Sequence, residues 1–347
     1  MMTFRQFSQD RSSVPMATTW SLDELSRAVG LQELFTRQSP QKLKVLREHA
    51  LIESAVSSNR IEGVEVERSR AATLVFGEPV LRDRDEEEVR GYRSALDLIH
   101  SQRAALPVNA TTILDLHRLA RGDIWDAGKL KERTESIIDR YADGRTRIRF
   151  MPVEAGAATV AALGELAERW GASQQDKLVH PLIATGAFVL DFLCIHPFRD
   201  GNGRASRLLM LLLTYHAGAE VGRYISLERL IEQNKQRYYE TLEQSSQGWH
   251  EGEHNPWPFL NYTLWILKQA YQEFEQRVGQ TAEPLGAKAQ LVHDAINKRT
   301  GSFSVGELEA DCPGVGRDWI RRLLRKMKAA GKLRSFGYGA GARWEKV

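Results

Sequence analysis

The stretch that decides the fold runs from residue 182 to residue 207 and reads LIATGAFVLDFLCI followed by HPFRDGNGRASR. Its first fourteen residues are almost wholly apolar, which predicts a buried central helix over residues 182–195. Pro197 disfavours the α conformation at His196, so we expect the helix to end there and to leave the imidazole at the edge of the core. Gly201 and Gly203 let the backbone approach a ligand closely, and a second helix is expected over residues 204–217.

The second half of this stretch collects groups that act on phosphates. A glycine-rich loop before a helix presents free N–H groups and a positive dipole, which favour an anion. Arg204 and Arg207 lie three residues apart on one helix face, where they can clamp two phosphates of one nucleotide. Asp200 offers the hard oxygen that Mg²⁺ prefers beside phosphate oxygens. His196 can take a proton from an attacking hydroxyl, and Phe198 is expected to anchor the loop from inside.

The set suits transfer of a phosphate-containing group to a hydroxyl. For any single residue, a satisfied histidine or a solvated arginine is an equally good interpretation, but not for the whole set. The run resembles the signature H-x-F-x-(D/E)-G-N-G-R-x-x-R of the Fic family of adenylyltransferases, and every defined position matches. The resemblance implies an all-helical catalytic fold and transfer of AMP from Mg-ATP to a Ser, Thr or Tyr hydroxyl of a target protein, including the chain itself.

Carried over by position, the resemblance implies the roles of individual residues. His196 is the general base and Asp200 binds Mg²⁺, while Arg204 is a catalytic residue that binds the polyphosphate together with Arg207. The residues implied around ATP are Phe198 as the loop anchor, Asp200, Gly201, Asn202, Gly203, Arg204, Arg207, Tyr238 and Tyr239. For the two tyrosines, core packing on a helix over residues 227–244 is the alternative, and we favour it for one of them. Residues 137–150 predict a β-hairpin around an Asp-Gly turn, where the family has a flap that aligns the target by strand addition.

A second family feature lies upstream of the signature. Ser58, Glu62 and Gly63 occupy the defined positions of the inhibitory motif (S/T)-x-x-x-E-(G/N). Glu62, at the end of an expected helix, can form a bidentate pair with Arg207 and withdraw that arginine from ATP. A surface carboxylate near a helix end is the alternative. The same glutamate allows de-AMPylation of a modified protein, together with His196, as a side activity.

Helical periodicity and composition divide the chain into four parts. These are an N-terminal helical region over residues 1–100, a catalytic core over 101–278, a linker over 279–286 and a C-terminal domain over 287–347. From residue 285 onward, 13 Lys and Arg stand against 6 Asp and Glu, a charge of +7 that leaves −4 on the rest of the chain. Two helices, a basic third helix over residues 317–330 and a glycine-rich hairpin predict a winged helix-turn-helix. DNA binding through this domain is one interpretation, and docking of a protein or of the catalytic core is the alternative.

The composition fits an ordinary multidomain protein of the cytoplasm. The 347 residues are 42% apolar and 27% charged, with a net charge of +3. The two cysteines lie far apart in the sequence, so a reducing compartment fits and a disulfide framework does not. No apolar run approaches the ~20 residues of a membrane span, so we expect no membrane partner. The resemblance also suggests a homodimer.

The leading hypothesis is an autoinhibited protein adenylyltransferase that uses ATP and Mg²⁺. Its expected fold is mainly α, a Fic-type helical bundle with a short β-hairpin flap and a C-terminal winged helix-turn-helix domain. The alternative from another class is a DNA-binding regulator whose core senses a nucleotide and is catalytically weak. The full set of catalytic residue types argues against this alternative.

Overall fold

A buried apolar helix lies at the centre of the fold in the computed structural model of the chain. The structure describes residues 2–9, 13–38, 40–140, 144–279, 286–299, 301–337 and 342–347. The central helix, α8 (Pro181–Ile195), is the one that the sequence predicts, and every residue after Pro181 is buried. Pro181 stands in the first turn of α8, where a backbone N–H has no partner within the helix, so the N–H that proline lacks costs no hydrogen bond. The His180 ring accepts the N–H of Leu182.

The described residues form fifteen α-helices and five short strands. Before α8 lie α1 (Thr3–Ser8), α2 (Met16–Gln38), α3 (Pro40–Ile61), α4 (Arg68–Phe76), α5 (Arg84–Gln102), α6 (Ala110–Arg121), β1 (Ile137–Arg140), β2 (Thr146–Phe150) and α7 (Ala157–Asp176). After it come α9 (Asn202–His216), α10 (Leu227–Gln233), α11 (Lys235–Ser246), α12 (Trp257–Gly279), α13 (Ala287–Asn297), β3 (Phe303–Ser304), α14 (Val305–Asp311), α15 (Arg317–Ala329), β4 (Leu333–Phe336) and β5 (Arg343–Lys346).

The main core forms around α8, which packs against α7, α9 and α12. A second layer places α5 against α3 and α6, and α6 also packs against α9. This arrangement brings the C-terminal end of α8 and the first turn of α9 close to α3, α5 and α6. The loop at residues 196–201 is therefore surrounded by helices that are distant from it in the sequence.

Several element boundaries differ from the sequence-based expectation. The helix expected over residues 227–244 is two helices, α10 and α11, because Asn234 leaves the helical conformation (φ −123°, ψ 32°) and its side chain bonds the carbonyl of Leu230. Helix α9 begins at Asn202, two residues earlier than expected. Strands β1 and β2 pair as the predicted antiparallel hairpin. The Asp143 part of its turn and most of the predicted linker, residues 280–285, lie outside the described residues.

The C-terminal residues build a hydrophobic core of their own. Phe303, Ile320 and Leu324 are fully buried in it, and a three-stranded antiparallel sheet in the order β3-β5-β4 packs against α14 and α15. The capping box of α14, formed by Ser304 and Glu307, fixes the start of that helix. The order of elements is the one that the sequence predicts, including a β-prone step at Phe303 that forms β3, whereas the identification as a winged helix-turn-helix stays a prediction.

This C-terminal part contacts the rest of the chain at α3 and α4 through α13. Gly314 packs so closely on the backbone of Phe76 and Gly77 that a Cβ there would overlap it, and the Lys288 ammonium lies 5.6 Å from the centre of the Phe76 ring. Among the helices that the structure describes, none is both long and apolar enough to cross a membrane.

Candidate active site

His196 lies directly after the last residue of α8, in a left-handed conformation (φ 49°, ψ 62°). Its Nδ1 is 3.3 Å from the carbonyl oxygen of Leu193. Because a carbonyl oxygen only accepts, Nδ1 carries the proton and Nε2 has a free lone pair. Burial, assisted by the positive charge of Lys131, lowers the pKa of His196 to about 4. The imidazole is therefore neutral near pH 7 and is able to take a proton through Nε2.

The loop that follows His196 is anchored from inside. The Phe198 side chain is 1% exposed and stacks on the His117 ring, with 3.6 Å between the ring centres. The Asn202 amide accepts the N–H of Phe198 at 3.0 Å and donates to its carbonyl at 2.8 Å. Both side chains thus hold the loop, and neither lines the cavity of about 210 Å³ beside His196. Gly201, at φ 80°, precedes the first turn of α9.

Gly203 keeps a narrow space open beside the arginines of α9. A Cβ at Gly203 would overlap the Glu62 carboxylate and would lie 3.2 Å from Nη1 of Arg207. Nη1 of Arg207 and Nε of Arg204 are buried, and neither has a hydrogen-bond partner among the described residues. Buried guanidinium donors are normally paired. These unpaired donors in the first turns of a helix therefore fit a bound anion such as a phosphate group.

Glu62 contacts one of these arginines. Nη2 of Arg207 donates to Glu62 Oε1 at 2.8 Å and to the Ser58 carbonyl at 2.9 Å, and Nε donates to the Ser58 hydroxyl at 2.8 Å. The expected bidentate pair is therefore wrong in detail: one bond goes to the carboxylate and Ser58 receives the others. Burial alone would lower the pKa of Arg207, but the Glu62 carboxylate together with the phenols of Tyr92 and Tyr238 outweighs burial and raises this pKa. Gly63, at φ 84°, turns the chain after α3.

The carboxylate of Asp200 lies where three arginines converge. Arg121 donates to Oδ2 at 2.9 Å and Arg84 at 3.3 Å, while Arg204 lies 3.7 Å from Oδ1. Burial would raise the pKa of Asp200, but the charges of Arg121 and Arg204 outweigh it and hold the pKa below the usual value. Asp200 is thus ionised, and its side chain is 52% exposed.

The donor set around Asp200 limits what metal it can hold. No group of three metal-binding side chains comes together within the described parts of the chain. A single ionised carboxylate beside an anion cradle fits Mg²⁺, which is commonly held by one or two carboxylates together with phosphate oxygens and water. It does not fit a metal that needs an all-protein cage.

Three residues form hydrogen bonds within this site although no sequence pattern predicts their place there. Glu88 of α5 is 2% exposed and bonds Arg204 and Arg121, the latter at 2.7 Å. Nε2 of His117 donates to the Asp200 carbonyl at 2.9 Å, and its Nδ1 accepts the Gly128 N–H. His117 and Arg121 stand one turn apart on α6. Their four-residue spacing is the one pattern that could have indicated a shared task.

A cavity of about 210 Å³ opens beside His196 and Arg207. Tyr238 and Tyr239 of α11 line it, as does Arg149 of β2. Tyr238 is 4% exposed and packs on core aromatic rings, so it belongs both to the core and to the cavity wall. Tyr239 is half-buried, with the Arg149 guanidinium 5.6 Å from its ring centre. The sequence-predicted tyrosines, Arg207 and His196 therefore surround one space at the side of the hairpin, whereas Arg204 does not line it.

Comparison with known proteins relates this architecture to a known family. A family model described as the Fic/DOC family matches residues 107–214, and a protein adenylyltransferase Fic of Drosophila grimshawi is 30% identical over 167 residues. The chain contains a Fic/DOC domain over residues 107–214. The Drosophila yakuba adenylyltransferase Fic is 28% identical to the chain over 165 residues. Each match covers 47% of this chain but only 31% and 30% of the relative, so the chain matches about a third of the length of these curated relatives.

Solved Fic structures share the fold. The crystal structure of a Fic family protein from Desulfovibrio desulfuricans G20 matches with a TM-score of 0.62 at 20% identity and covers 97% of both chains. Fic-1 from C. elegans matches with a TM-score of 0.55 at 21% identity, over 76% of this chain and 74% of that chain. At these identities the likeness concerns the fold alone, and it confirms the expected mainly helical Fic architecture.

Proposed function

We propose that this chain transfers AMP from Mg-ATP to a hydroxyl group of a protein. One observation carries the proposal: the neutral His196 and Arg207, which has an unpaired buried donor, line one cavity, and Arg204 with a second unpaired buried donor stands in the first turn of the same helix as Arg207. A proton acceptor and an anion cradle at this spacing are what transfer of a nucleotide to a hydroxyl requires. The names of the Drosophila relatives agree with this reaction.

The chemistry assigns one task to each group. The target hydroxyl attacks the α-phosphorus while Nε2 of His196 takes its proton. The bond between the α- and β-phosphates breaks, and pyrophosphate leaves. Arg204, Arg207 and the positive end of α9 stabilise the charge that collects on the leaving phosphates. Asp200 would hold the Mg²⁺ that comes with ATP, and this ion would supply further neutralisation of phosphate charge.

The β1–β2 hairpin supplies the surface for the target segment. Ile137, Arg149 and Phe150 of the hairpin line the cavity, so a strand paired with the hairpin edge would pass close to His196. The side chains of Ile138 and Ile148 are exposed on the hairpin. An extended peptide would bind by backbone hydrogen bonds to this edge, and alternate side chains would provide selectivity.

We further propose that Glu62 restrains the reaction. Its bond to Nη2 of Arg207 occupies the arginine that would otherwise face the terminal phosphate, and its carboxylate adds a negative charge to the anion cradle. The same carboxylate lies in the cavity with His196, where it could orient water for removal of AMP from a modified protein. De-AMPylation is therefore a second activity to measure with the same variants.

The test uses the full chain, ATP labelled on the α-phosphate and four proteins: wild type, Glu62→Gly, Glu62→Gly with His196→Ala, and Glu65→Gly. We expect label on protein to increase about tenfold or more with Glu62→Gly, in the range of a coupling of 1–3 kcal/mol. His196→Ala should abolish it, and the exposed Glu65 is the matched control that should change nothing. No gain with Glu62→Gly would refute the restraint, and labelling that persists without His196 would refute the assigned base.

A second candidate function, DNA binding, is favoured by the surface of α15. Ile320, Leu324 and Met327 of this helix are buried in the C-terminal core. Its opposite face exposes Arg322 and Arg325 together with neighbouring lysines. A helix that presents a basic face away from its own core suits the major groove of a duplex.

A gel shift of the full chain with duplex DNA tests this candidate. The pair Arg322→Glu and Arg325→Glu should remove the shift, whereas Lys177→Glu, at an exposed lysine of the catalytic part, should retain most of it. No shift of the wild-type chain at low salt would leave protein docking as the function of the C-terminal part. Homodimer formation stays a prediction that the sedimentation of the same samples can check.

A further inference from the structure

A buried lysine lies behind the histidine of the site. Lys131 belongs to the loop between α6 and β1 and is 6% exposed. Its Nζ donates to the carbonyl of Ile195 at 3.0 Å, one residue before His196. The last carbonyls of a helix have no partner within the helix, and a cation there also meets the negative end of the helix dipole. Lys131 therefore completes α8 at the point where His196 leaves it.

The backbone next to this lysine fixes the same turn from a second side. The N–H of Lys131 donates to the Pro197 carbonyl at 2.8 Å, and Leu130 forms an isolated antiparallel bridge with Phe198. His196 lies between these contacts and the Ile195 bond, in a left-handed conformation that is unfavourable for residues other than glycine. A residue in such a conformation keeps its place only where its surroundings determine it.

We propose that Lys131 is a positioning residue for the base of AMP transfer: its ammonium fixes the turn that carries His196 and keeps a positive charge beside the imidazole. The proposal rests on the proposed function of His196 as the base. A cation at this place disfavours the imidazolium, so Nε2 stays free to accept the hydroxyl proton. Burial lowers the pKa of Lys131 itself to about 8, which leaves it charged at pH 7.

Other charges also face His196, and they set the balance that Lys131 influences. Glu62 from the end of α3 and Asp200 from the loop favour protonation of the imidazole, while burial and Lys131 oppose it and prevail. Across the cavity lie Arg149 and Glu243, Arg207 and the phenols of Tyr238 and Tyr239. Lys131 differs from these groups because its ammonium is positively charged and also donates a hydrogen bond to the carbonyl of Ile195, directly before His196.

The test compares Lys131→Met, Lys131→Arg and Lys129→Met in the full chain. Methionine keeps most of the length and removes both donor and charge, arginine keeps both, and Lys129 is an exposed lysine two residues away. Protonation of His196 is followed by NMR of the chain labelled with carbon-13 in its histidine rings, with His196→Ala identifying the signal. We expect the pKa of His196 to rise in Lys131→Met and to stay at the wild-type value in the other two. Lys131→Gln, which retains a donor without the charge, serves if the methionine variant does not fold.

The second measurement is AMP transfer with each change added to Glu62→Gly. We expect kcat to fall about tenfold or more in Lys131→Met, with KM for ATP within about twofold, and Lys131→Arg to recover most of the rate. An unchanged pKa of His196 in Lys131→Met, or an equal loss of rate in Lys129→Met, overturns the proposal. If the pKa moves as expected but no variant or parent transfers AMP, the proposed function fails and Lys131 loses its catalytic role with it, while its effect on the histidine stands.

Discussion

Arginines in the catalytic part and in the C-terminal part of the chain are held in opposite ways. Arg121, Arg204 and Arg207 have side chains 2–3% exposed, and each meets a particular carboxylate. In the C-terminal part, the Arg334 side chain is 59% exposed in its pair with Glu345, and α15 turns further arginines to solvent. Buried charges act through geometry and are little screened, whereas exposed charges act through a field that salt weakens.

Basic residues therefore act differently in the two parts of the chain. In the catalytic part, the position of each guanidinium decides what it binds, because a buried arginine without its carboxylate is costly. In the C-terminal part, the summed charge matters more than any one pair. Changes of pH, of single carboxylates and of salt should therefore affect the two parts differently.

Acidification should separate the two parts most strongly. Burial lowers the pKa of His100, His117, His196 and His254 to about 4 from an ordinary 6.5. Their contribution to stability is complete above pH 6.5 and is lost as pH falls toward 4, because the unfolded chain then binds protons that the folded chain does not. Each histidine should cost about 2 kcal/mol between pH 7 and pH 5.

Hydrogen exchange at pH 7 and pH 5, corrected for intrinsic rates, measures this difference. Amides of α8 should lose much of their protection at pH 5. Those of α15 should lose less, because the one histidine beyond residue 286 is the half-buried His293. Earlier opening of α15 than of α8 would contradict the assignment of acid sensitivity to the catalytic part.

Removal of a carboxylate should show the next largest contrast. Glu88→Ala leaves Arg121 and Arg204 buried with fewer partners, and should lower the free energy of unfolding by about 3–5 kcal/mol. Glu345→Ala removes the exposed partner of Arg334 and should cost less than about 1 kcal/mol. Urea unfolding of both variants measures the difference, and similar midpoints for the two would show that burial does not separate these pairs.

Salt should give the smallest of the three effects. If the C-terminal part binds DNA, its affinity for a duplex should fall about tenfold or more between 50 and 200 mM salt, because exposed cations release counterions from phosphates. AMP transfer by Glu62→Gly should change less than about threefold over the same range, because its arginines are buried. The two activities of one preparation, measured side by side, supply the control. Equal salt dependence would remove the contrast.

Local patterns in the sequence predicted those site residues that lie together in a short segment of the chain. The signature and the inhibitory motif led to His196, Asp200, Arg207 and Glu62, because spacing along one loop or helix places such residues directly. The apolar run at residues 182–195 predicted α8 for the same reason. These expectations needed no knowledge of how the helices pack.

The remaining part of the site depends on packing between distant segments. Glu88 meets Arg204 across 116 residues, and Lys131 meets Ile195 across 64. Neither contact leaves a periodic trace in the sequence. The break at Asn234 was missed because apolar spacing continues through it, while the backbone change there is set by a single residue and its bond to the preceding turn.

The central claim is that His196 and the arginine cradle transfer the AMP part of ATP, and that Glu62 restrains this transfer. The most direct measurement incubates wild type and Glu62→Gly in parallel with ATP labelled on the α-phosphate and ATP labelled on the γ-phosphate. We expect Glu62→Gly to retain the α label on protein far more than wild type does, and the γ label to leave in pyrophosphate. Retention of the γ label on protein, or equal α labelling of both proteins, would show that AMP is not transferred or that Glu62 does not restrain the transfer.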